Sequence, residues 1–188
     1  MSKFILGRKL GMTTIYDEKK GALNVTLIEC EPNAISLIRT AEKDGYNAVQ
    51  VSIKKNKKGN YKKEFRTGDK NELKTGDFVT IEGFQPGDKV KISGISKAKG
   101  FQGVMKRHGF KGAPHSHGHK HDWRAPGSIG AQAPQRVIKG MRMAGRMGGK
   151  RSTTSNLKVV YADIEKNIIG IRGAVPGVAG RIVEIVKK

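Results

Sequence analysis

Four histidines at alternate positions near the middle of the chain are the residues best suited to bind a metal ion. They are His115, His117, His119 and His121. In an extended backbone, alternate side chains project from the same side, and grouped imidazoles are typical zinc ligands. The neighbouring cations Lys111, Lys120 and Arg124, the absence of nearby cysteine and the single nearby carboxylate argue against a metal. We therefore expect these histidines to contact phosphates and bases, with no bound metal; a metal-binding or metal-sensing protein is the alternative.

Two further candidates do not predict catalysis. Cys30 lies in an apolar strand-like run with no histidine in either flanking strand region, which is typical of an inert thiol. The sequence at 145–152 superficially resembles a phosphate-binding loop, which requires Gly-x4-Gly-Lys followed by Ser or Thr. Ala144 stands where the first glycine should be, and Arg151 follows Lys150. We therefore expect no enzyme and no cofactor.

Positive charge is concentrated in residues 97–151, which we call the basic segment. It contains 13 Lys or Arg, one acid, 11 Gly and all five His, a formal charge of +12 over 55 residues; the other 133 residues carry +9. Without a sustained apolar period, it should be poorly ordered in isolation. Aromatic residues such as Phe101, Phe110 and Trp123 are interleaved with the cations. This mixture predicts a nucleic-acid-binding extension that folds against a polyanion and stacks on its bases.

The basic segment supplies two kinds of predicted contact. Phosphate contacts are predicted for Lys106, Arg107, Arg124, Arg136, Lys139, Arg142, Arg146, Lys150 and Arg151. Base or sugar contacts are predicted for His108, Phe110, Trp123 and the four tandem histidines, and Lys97, Lys99, Lys111 and Lys120 complete the set. A solvated charged loop would explain any one of these runs, but a charge of +12 left unpaired would repel itself. A sequence-tolerant RNA chaperone or single-strand binder is a second alternative, and it should prefer unstructured RNA.

The composition of the whole chain also indicates a nucleic-acid partner. A net charge of +21 over 188 residues predicts binding to nucleic acid or to an anionic membrane surface. No apolar run approaches the roughly 20 residues of a spanning helix, and the first seven residues do not form a signal peptide. The single cysteine excludes an internal disulfide and fits a reducing compartment. We therefore expect no membrane partner and a location in the cytoplasm or an organelle matrix.

Short strands separated by turns are predicted on both sides of the basic segment. They lie at 12–16, 23–27, 35–40, 49–53, 78–82, 89–95, 157–161, 168–172 and 181–186, with one helical turn at 70–74. Strands at such spacing, almost without helix, predict a mainly β barrel or sandwich. The globular domain would comprise 1–96 and 152–188, with 97–151 inserted as an extended RNA-binding loop. A loop of that length is expected only where it is functional.

Six blocks of sequence resemble the large-subunit ribosomal protein three family, in its compact bacterial or organellar form. The blocks are GRKLGMT at 7–13, EKDGYNAVQV at 42–51, GFQGVMKRHGF at 100–110, PGSIG at 126–130, the stretch 140–148, and GAVPG at 173–177. They follow the family's order across essentially the whole chain.

The resemblance implies a six-stranded translation-protein-type β-barrel with a long irregular basic extension inserted between strands. It implies a structural constituent of the large ribosomal subunit that binds 23S-type ribosomal RNA near its 3′ end, nucleates early assembly and performs no chemistry. The loop tip, expected around 123–139, would support the RNA around the peptidyl-transferase centre. The implied partners are that RNA and neighbouring large-subunit proteins, with no DNA, and the implied location is the cytoplasmic ribosome.

One block departs from the family pattern. Where relatives commonly have Thr-Pro-Gly before a basic residue, this chain has Ala133-Pro134-Gln135-Arg136 and is one residue shorter. Some relatives carry a methylated glutamine in this region, and Gln132 is the nearest candidate for that modification.

Overall fold

Two compact units make up the chain. The computed structural model describes residues 4–18, 21–56, 59–68 and 73–188. One unit comprises Met1–Ser96 and Arg151–Lys188, and the other comprises Lys97–Lys150. We call them the strand unit and the basic unit.

β-Strands are the predominant regular structure of the described residues, as the sequence predicts. In chain order the strands are β1 (Phe4–Asp17), β2 (Gly21–Glu29), β3 (Asn33–Arg39), β4 (Ala48–Asn56), β5 (Gly59–Arg66), β6 (Phe78–Val79), β7 (Lys89–Ile95), β8 (Phe101–Gln102), β9 (Gly145–Arg146), β10 (Arg151–Asp163), β11 (Ile168–Arg172) and β12 (Ile182–Lys187). The helices are α1 (Ala41–Asp44) and α2 (Val104–His108), and Ile81–Gly83 forms a 3-10 turn. Neither described helix is long and apolar enough to cross a bilayer.

Six strands of the strand unit form a closed antiparallel ring. Their order is β1-β12-β7-β10-β11-β2, and β2 pairs with β1 to complete it. Because side chains alternate across a strand, one residue in two points inward. Inward positions on three of these strands carry Ile92, Ile169 and Ile185, all fully buried. Burial of this branched apolar interior stabilises the ring.

The second sheet of the strand unit has the order β5-β4-β3-β6 and packs against β1. Val49 and Val51 of β4 share a buried cluster with Phe4 and Leu6, and the Phe4 and Phe65 rings stack with centroids 4.6 Å apart. The start of β1 therefore buries both of its faces, with Ile5 in the interior of the ring and Phe4 and Leu6 against the second sheet. This explains the continuous apolar sequence at 4–6, where an alternating pattern would mark a half-buried strand.

Asn33 completes the hydrogen bonding of β1 at Leu6, beyond the end of its pairing with β2. That pairing begins at Arg8, which faces Glu29. The Leu6 N–H donates to Asn33 Oδ1 at 2.6 Å, and Asn33 Nδ2 donates to the Leu6 carbonyl at 3.1 Å. Nδ2 also donates to the Glu31 carbonyl at 2.8 Å. The fully buried amide thus takes the place of a neighbouring strand.

Lys9 joins two of the sequence blocks that are far apart along the chain. Its side chain is buried, and Nζ donates to the carbonyls of Val175 at 2.8 Å and Gly177 at 3.1 Å. Its backbone N–H donates to the Arg181 carbonyl at 3.0 Å. The blocks at 7–13 and 173–177 therefore form one local structure.

Gly7 allows β1 and β2 to approach closely, and its replacement tests the packing of the ring. A Cβ at this position would lie 2.5 Å from Ile28 Cγ2, 2.6 Å from Cys30 Sγ and 2.9 Å from the Glu29 carbonyl oxygen. Overpacking of this kind is costly, so Gly7→Ala should lower the free energy of unfolding by about 2 kcal/mol. Urea denaturation of the full chain measures the loss.

Gly11 on the same strand provides the matched control for Gly7. A Cβ there would have no atom within 4 Å. Gly11→Ala should therefore change the free energy of unfolding by less than about 0.5 kcal/mol. Equal losses for the two variants would contradict the role assigned to Gly7.

The predicted strands agree unevenly with the observed ones. Those predicted at 89–95 and 168–172 coincide with β7 and β11, whereas β1 and β10 are several residues longer than predicted. The prediction of a strand at 78–82 is wrong beyond Val79, because the chain forms a 3-10 turn at Ile81–Gly83 in which Ile81 is buried. The helical turn predicted at 70–74 falls largely outside the described residues. The sequence predicts no strand at β5.

Candidate nucleic-acid interface

Short backbone pairings bring the two ends of the basic unit together. β8 pairs with β9, with Phe101 opposite Arg146. The Lys99 N–H donates to the Met147 carbonyl, and the Met147 N–H donates to the Gly100 carbonyl, both at 2.9 Å. The unit is thus closed by main-chain hydrogen bonds between residues at its start and its end.

Nearly all the side chains predicted to contact nucleic acid face solvent. Of the twenty, sixteen are exposed, and the half-buried ones are Arg107, His108, Phe110 and His119. Across 97–150, every residue of which is described, Val104 is the only buried residue. The unit therefore has almost no apolar core of its own, and its charges are available to a partner. Gln132 is also exposed.

Arg107 and His108 have an internal partner that the sequence does not predict. Arg107 Nη1 donates to the Met143 carbonyl at 2.6 Å, and His108 Nε2 lies 3.1 Å from the same oxygen. Gly145 leaves room for the guanidinium, because a Cβ there would lie 2.7 Å from Arg107 Nη1. These two side chains tie α2 to the stretch 140–148. Their contacts with nucleic acid stay a prediction.

Trp123 lies close to two other predicted contacts, His115 and Arg124. The His115 ring centroid is 4.7 Å from that of Trp123, with the planes tilted by 53°, and the Arg124 guanidinium carbon lies 5.9 Å from it. The second distance is in the range of a cation–π interaction. Trp123 is still 38% exposed. The structure therefore groups an aromatic ring, an imidazole and a cation on one accessible surface.

The tandem histidines do not form the extended run that would align them. The backbone at 115–118 bends and turns, and His117 has a left-handed φ of 61°. Among the described residues, no three His, Cys, Asp or Glu side chains are grouped so as to hold a metal ion. The four histidines alternate in the sequence, but the structure does not bring them together as one set of metal ligands.

Arg151 belongs to the strand unit, although the sequence places it in the basic segment. It is the first residue of β10 and lies opposite Ile95 of β7. Its guanidinium is hydrogen-bonded to Glu184, which is 7% exposed and also lies 3.4 Å from Lys63 Nζ. Part of its charge is therefore neutralised within the protein. The structure thus pairs Arg151, a predicted phosphate contact, with a carboxylate.

Cys30 is enclosed in the interior of the ring. It is fully buried, and that burial raises the pKa of its thiol far above the ordinary range. A thiol held in its neutral form is a poor nucleophile. This environment agrees with the inert cysteine predicted from the sequence.

A second group of cations, on the outer face of β3–β5, is not predicted from the sequence. The guanidinium carbons of Arg39 and Arg66 lie 5.7 Å and 5.6 Å from the Tyr46 ring centroid. Arg39 Nε and the Tyr46 hydroxyl both donate to Glu64 at 3.0 Å, and these bonds lower the pKa of the Glu64 carboxyl. Arg66 pairs with no carboxylate among the described residues. The sequence signal available for this group was Tyr46, an aromatic residue that lies along the chain between the basic residues Arg39 and Arg66.

Comparison with known proteins identifies close relatives over almost the entire chain. Residues 47–161 match the protein family described as Ribosomal protein L3. The chain is 48% identical to the large ribosomal subunit protein uL3 of Leifsonia xyli, over 97% of this chain and 92% of that protein. It is 44% identical to the protein of the same name from Thioalkalivibrio sulfidiphilus, over 94% and 92%. For that of Aliivibrio fischeri the identity is 43%, over 94% and 93%.

Proposed function

Since this chain belongs to the ribosomal protein L3 family, we propose that it is a structural constituent of the large ribosomal subunit whose basic unit binds large-subunit ribosomal RNA. The family consists of structural proteins, not enzymes. Residency in a bacterial-type ribosome places the protein in the cytoplasm, with ribosomal RNA and other large-subunit proteins as its partners.

The observation that carries this proposal is the exposed and uncompensated charge of the basic unit. Residues 97–150 contain twelve Lys or Arg and one acid, Asp122. Eleven of these cations and Asp122 lie in 97–149, and no ion pair joins two described residues of that stretch, so its charge is not balanced from within. A polyanion removes the resulting repulsion, and the release of its counterions favours binding.

The mode of binding follows from the composition of the exposed surface. Recognition of folded RNA depends mainly on shape and on the sugar–phosphate backbone, with side chains reading unstacked bases. The exposed cations suit phosphates, whereas the surface around Trp123 suits an unstacked base. The lack of an apolar core implies that the unit becomes fully ordered when it binds RNA.

The finer features of the proposal come from the family resemblance. The closed ring would be a translation-protein-type barrel that docks on RNA, with 97–151 as a long extension between its strands. The protein would bind near the 3′ end of 23S-type RNA early in assembly. Residues around 123–139 would support the RNA near the peptidyl-transferase centre. Gln132, exposed in this region, is the proposed site of methylation.

The test is binding of the intact chain to a 3′-proximal large-subunit RNA fragment, compared with transfer RNA of equal mass and with polyuridine, over a salt series. We expect a preference of at least about tenfold for the ribosomal fragment. Contact with about eight phosphates would give a log–log salt slope of roughly −7, using the coefficient for duplex DNA. Equal binding to the ribosomal fragment and transfer RNA at every salt concentration would refute the proposal. A preference for polyuridine would favour the sequence-tolerant single-strand binder.

A further inference from the structure

The basic unit contains a concave site between its stretches 110–113 and 119–127. Its lining includes the half-buried Phe110 and His119, the exposed Lys111 and Asp122, and the small apolar residue Ala125. A recess that combines an aromatic ring with a few polar groups has the character of a small-ligand site.

The two stretches are held close together at Gly112. A Cβ at that position would lie 2.2 Å from the Trp123 carbonyl oxygen, and Gly112 has a left-handed φ of 77°. Only glycine satisfies both conditions without strain. The local sequence therefore specifies the recess, because its two sides can approach this closely only at a glycine.

Asp122 is the unexpected residue in this recess. It is the only acid in 97–150, and its carboxylate forms no ion pair with any described residue. A turn fixes its backbone, since the Asp122 N–H donates to the His119 carbonyl at 3.2 Å and the Ala125 N–H donates to the Asp122 carbonyl at 3.0 Å. On a surface that binds phosphates, a carboxylate weakens affinity through repulsion. A compensating contact would have to bring hydrogen-bond donors to it.

We propose that this recess binds one unpaired guanine of the ribosomal RNA, with the Asp122 carboxylate accepting hydrogen bonds from guanine N1–H and N2–H. This inference rests on the proposed function. Phe110 supplies the apolar surface against the base, and Lys111 faces the phosphate of the same nucleotide. Unpaired bases in RNA are commonly recognised by such stacking and by hydrogen bonds to the Watson–Crick edge.

Guanine is the base whose donors match a carboxylate. Its Watson–Crick edge presents two adjacent N–H donors, which the two oxygens of an ionised carboxylate accept together. Adenine and cytosine each place one exocyclic donor beside an unprotonated ring nitrogen, which repels the second oxygen. Uracil places its single N–H between two carbonyls. The chemistry of Asp122 therefore selects guanine.

Replacing Asp122 by Asn distinguishes this role from that of a solvated acid, because the two roles predict opposite changes in the affinity for the RNA fragment. A merely solvated Asp122 repels phosphates, so D122N would strengthen binding to any RNA and steepen its salt dependence. If Asp122 binds guanine, D122N should weaken binding to the ribosomal fragment about tenfold, the scale of a lost bidentate base contact. Binding to transfer RNA should not weaken. The matched control is E165Q, which removes one negative charge from an exposed turn outside the basic unit.

The experiment measures binding of full-length wild type, D122N and E165Q to the same RNA fragment, together with kethoxal probing. Kethoxal adds to N1 and N2 of unpaired guanine, the two atoms that Asp122 would cover. We expect one guanine that is protected by wild type and E165Q but is reactive with D122N. Inosine at that position, which lacks the N2 amino group, should weaken wild-type binding severalfold and D122N binding little.

The inference is overturned if D122N binds the fragment at least as tightly as E165Q does and protects the same guanines. That result leaves the proposed function intact, provided that wild type still prefers the fragment to transfer RNA. Loss of this preference in the wild-type protein would instead refute the proposed function itself.

Discussion

Neutralising six exposed cations of the basic unit should reduce its affinity for the ribosomal RNA fragment by roughly four orders of magnitude at 0.15 M salt, by the counterion-release relation. The changes are to Gln at Lys99, Lys106, Arg136, Lys139, Arg142 and Arg146, all of which are exposed. Each lost phosphate contact removes about 0.9 from the log–log salt slope, so the slope should flatten by roughly 5. A salt series with the full-length variant measures both quantities. Because these side chains are exposed, the urea midpoint should not change.

A variant with the same net charge provides the control. In it, six exposed lysines of the strand unit are changed to Gln: Lys54, Lys55, Lys74, Lys89, Lys158 and Lys166. We expect its salt slope to change by less than half as much, because the proposed function assigns most of the phosphate contacts to the basic unit. If the two variants flattened the slope equally, total charge would govern binding, and the placement of charge in the basic unit would have no special role.

Asn33→Ala should lower the free energy of unfolding by about 3 kcal/mol, the largest stability effect that we expect from a single substitution. Removing the side-chain amide leaves the buried N–H and carbonyl of Leu6 without their partners at 2.6 Å and 3.1 Å. Each unsatisfied buried group costs roughly 1–3 kcal/mol, and water has little access to this position. Urea denaturation gives the total, and hydrogen exchange at the Leu6 amide should accelerate in the variant.

Asn60→Ala is the matched control for this substitution. Asn60 is exposed on β5, and its truncation should change the free energy of unfolding by less than about 0.5 kcal/mol. An Asn33→Ala protein with the wild-type urea midpoint and unchanged Leu6 exchange would show that water replaces the amide.

Strand positions could be predicted from the sequence where one face of a strand is buried and the other is polar, because apolar and polar residues then alternate. Period-two alternation at 23–27 and 49–53 predicted β2 and β4. The same pattern failed to predict β5. Tyr61 and Phe65 face inward there, but Lys63 lies between them in the sequence, with its Nζ 3.4 Å from a carboxylate oxygen of Glu184 on β12. A cation at an inward position hides the strand pattern, because its partner comes from a distant part of the chain.

The exposed charge of the interface could be predicted from composition, whereas its internal contacts could not. High positive charge and few apolar residues suffice to predict that most cations face solvent. The bonds from Arg107 and His108 to Met143 depend on a main-chain carbonyl at least 35 residues away, which no local pattern encodes. The same holds for Arg151, whose partner Glu184 follows it by 33 residues.

Ile95 of β7 and Arg151 of β10 lie opposite each other, so the chain between them is equivalent to the loop of a very long hairpin. Its ends are fixed at one strand spacing, however many residues lie between them. Chain statistics make the closure entropy of such a loop grow only with the logarithm of its length, so that halving the insert recovers about 0.6 kcal/mol. Selection for stability of the ring therefore exerts little pressure on insert length. The reach of the insert is then free to follow the architecture of the RNA that we propose as its partner, and an engineer could graft a shorter or longer insert between the same two residues.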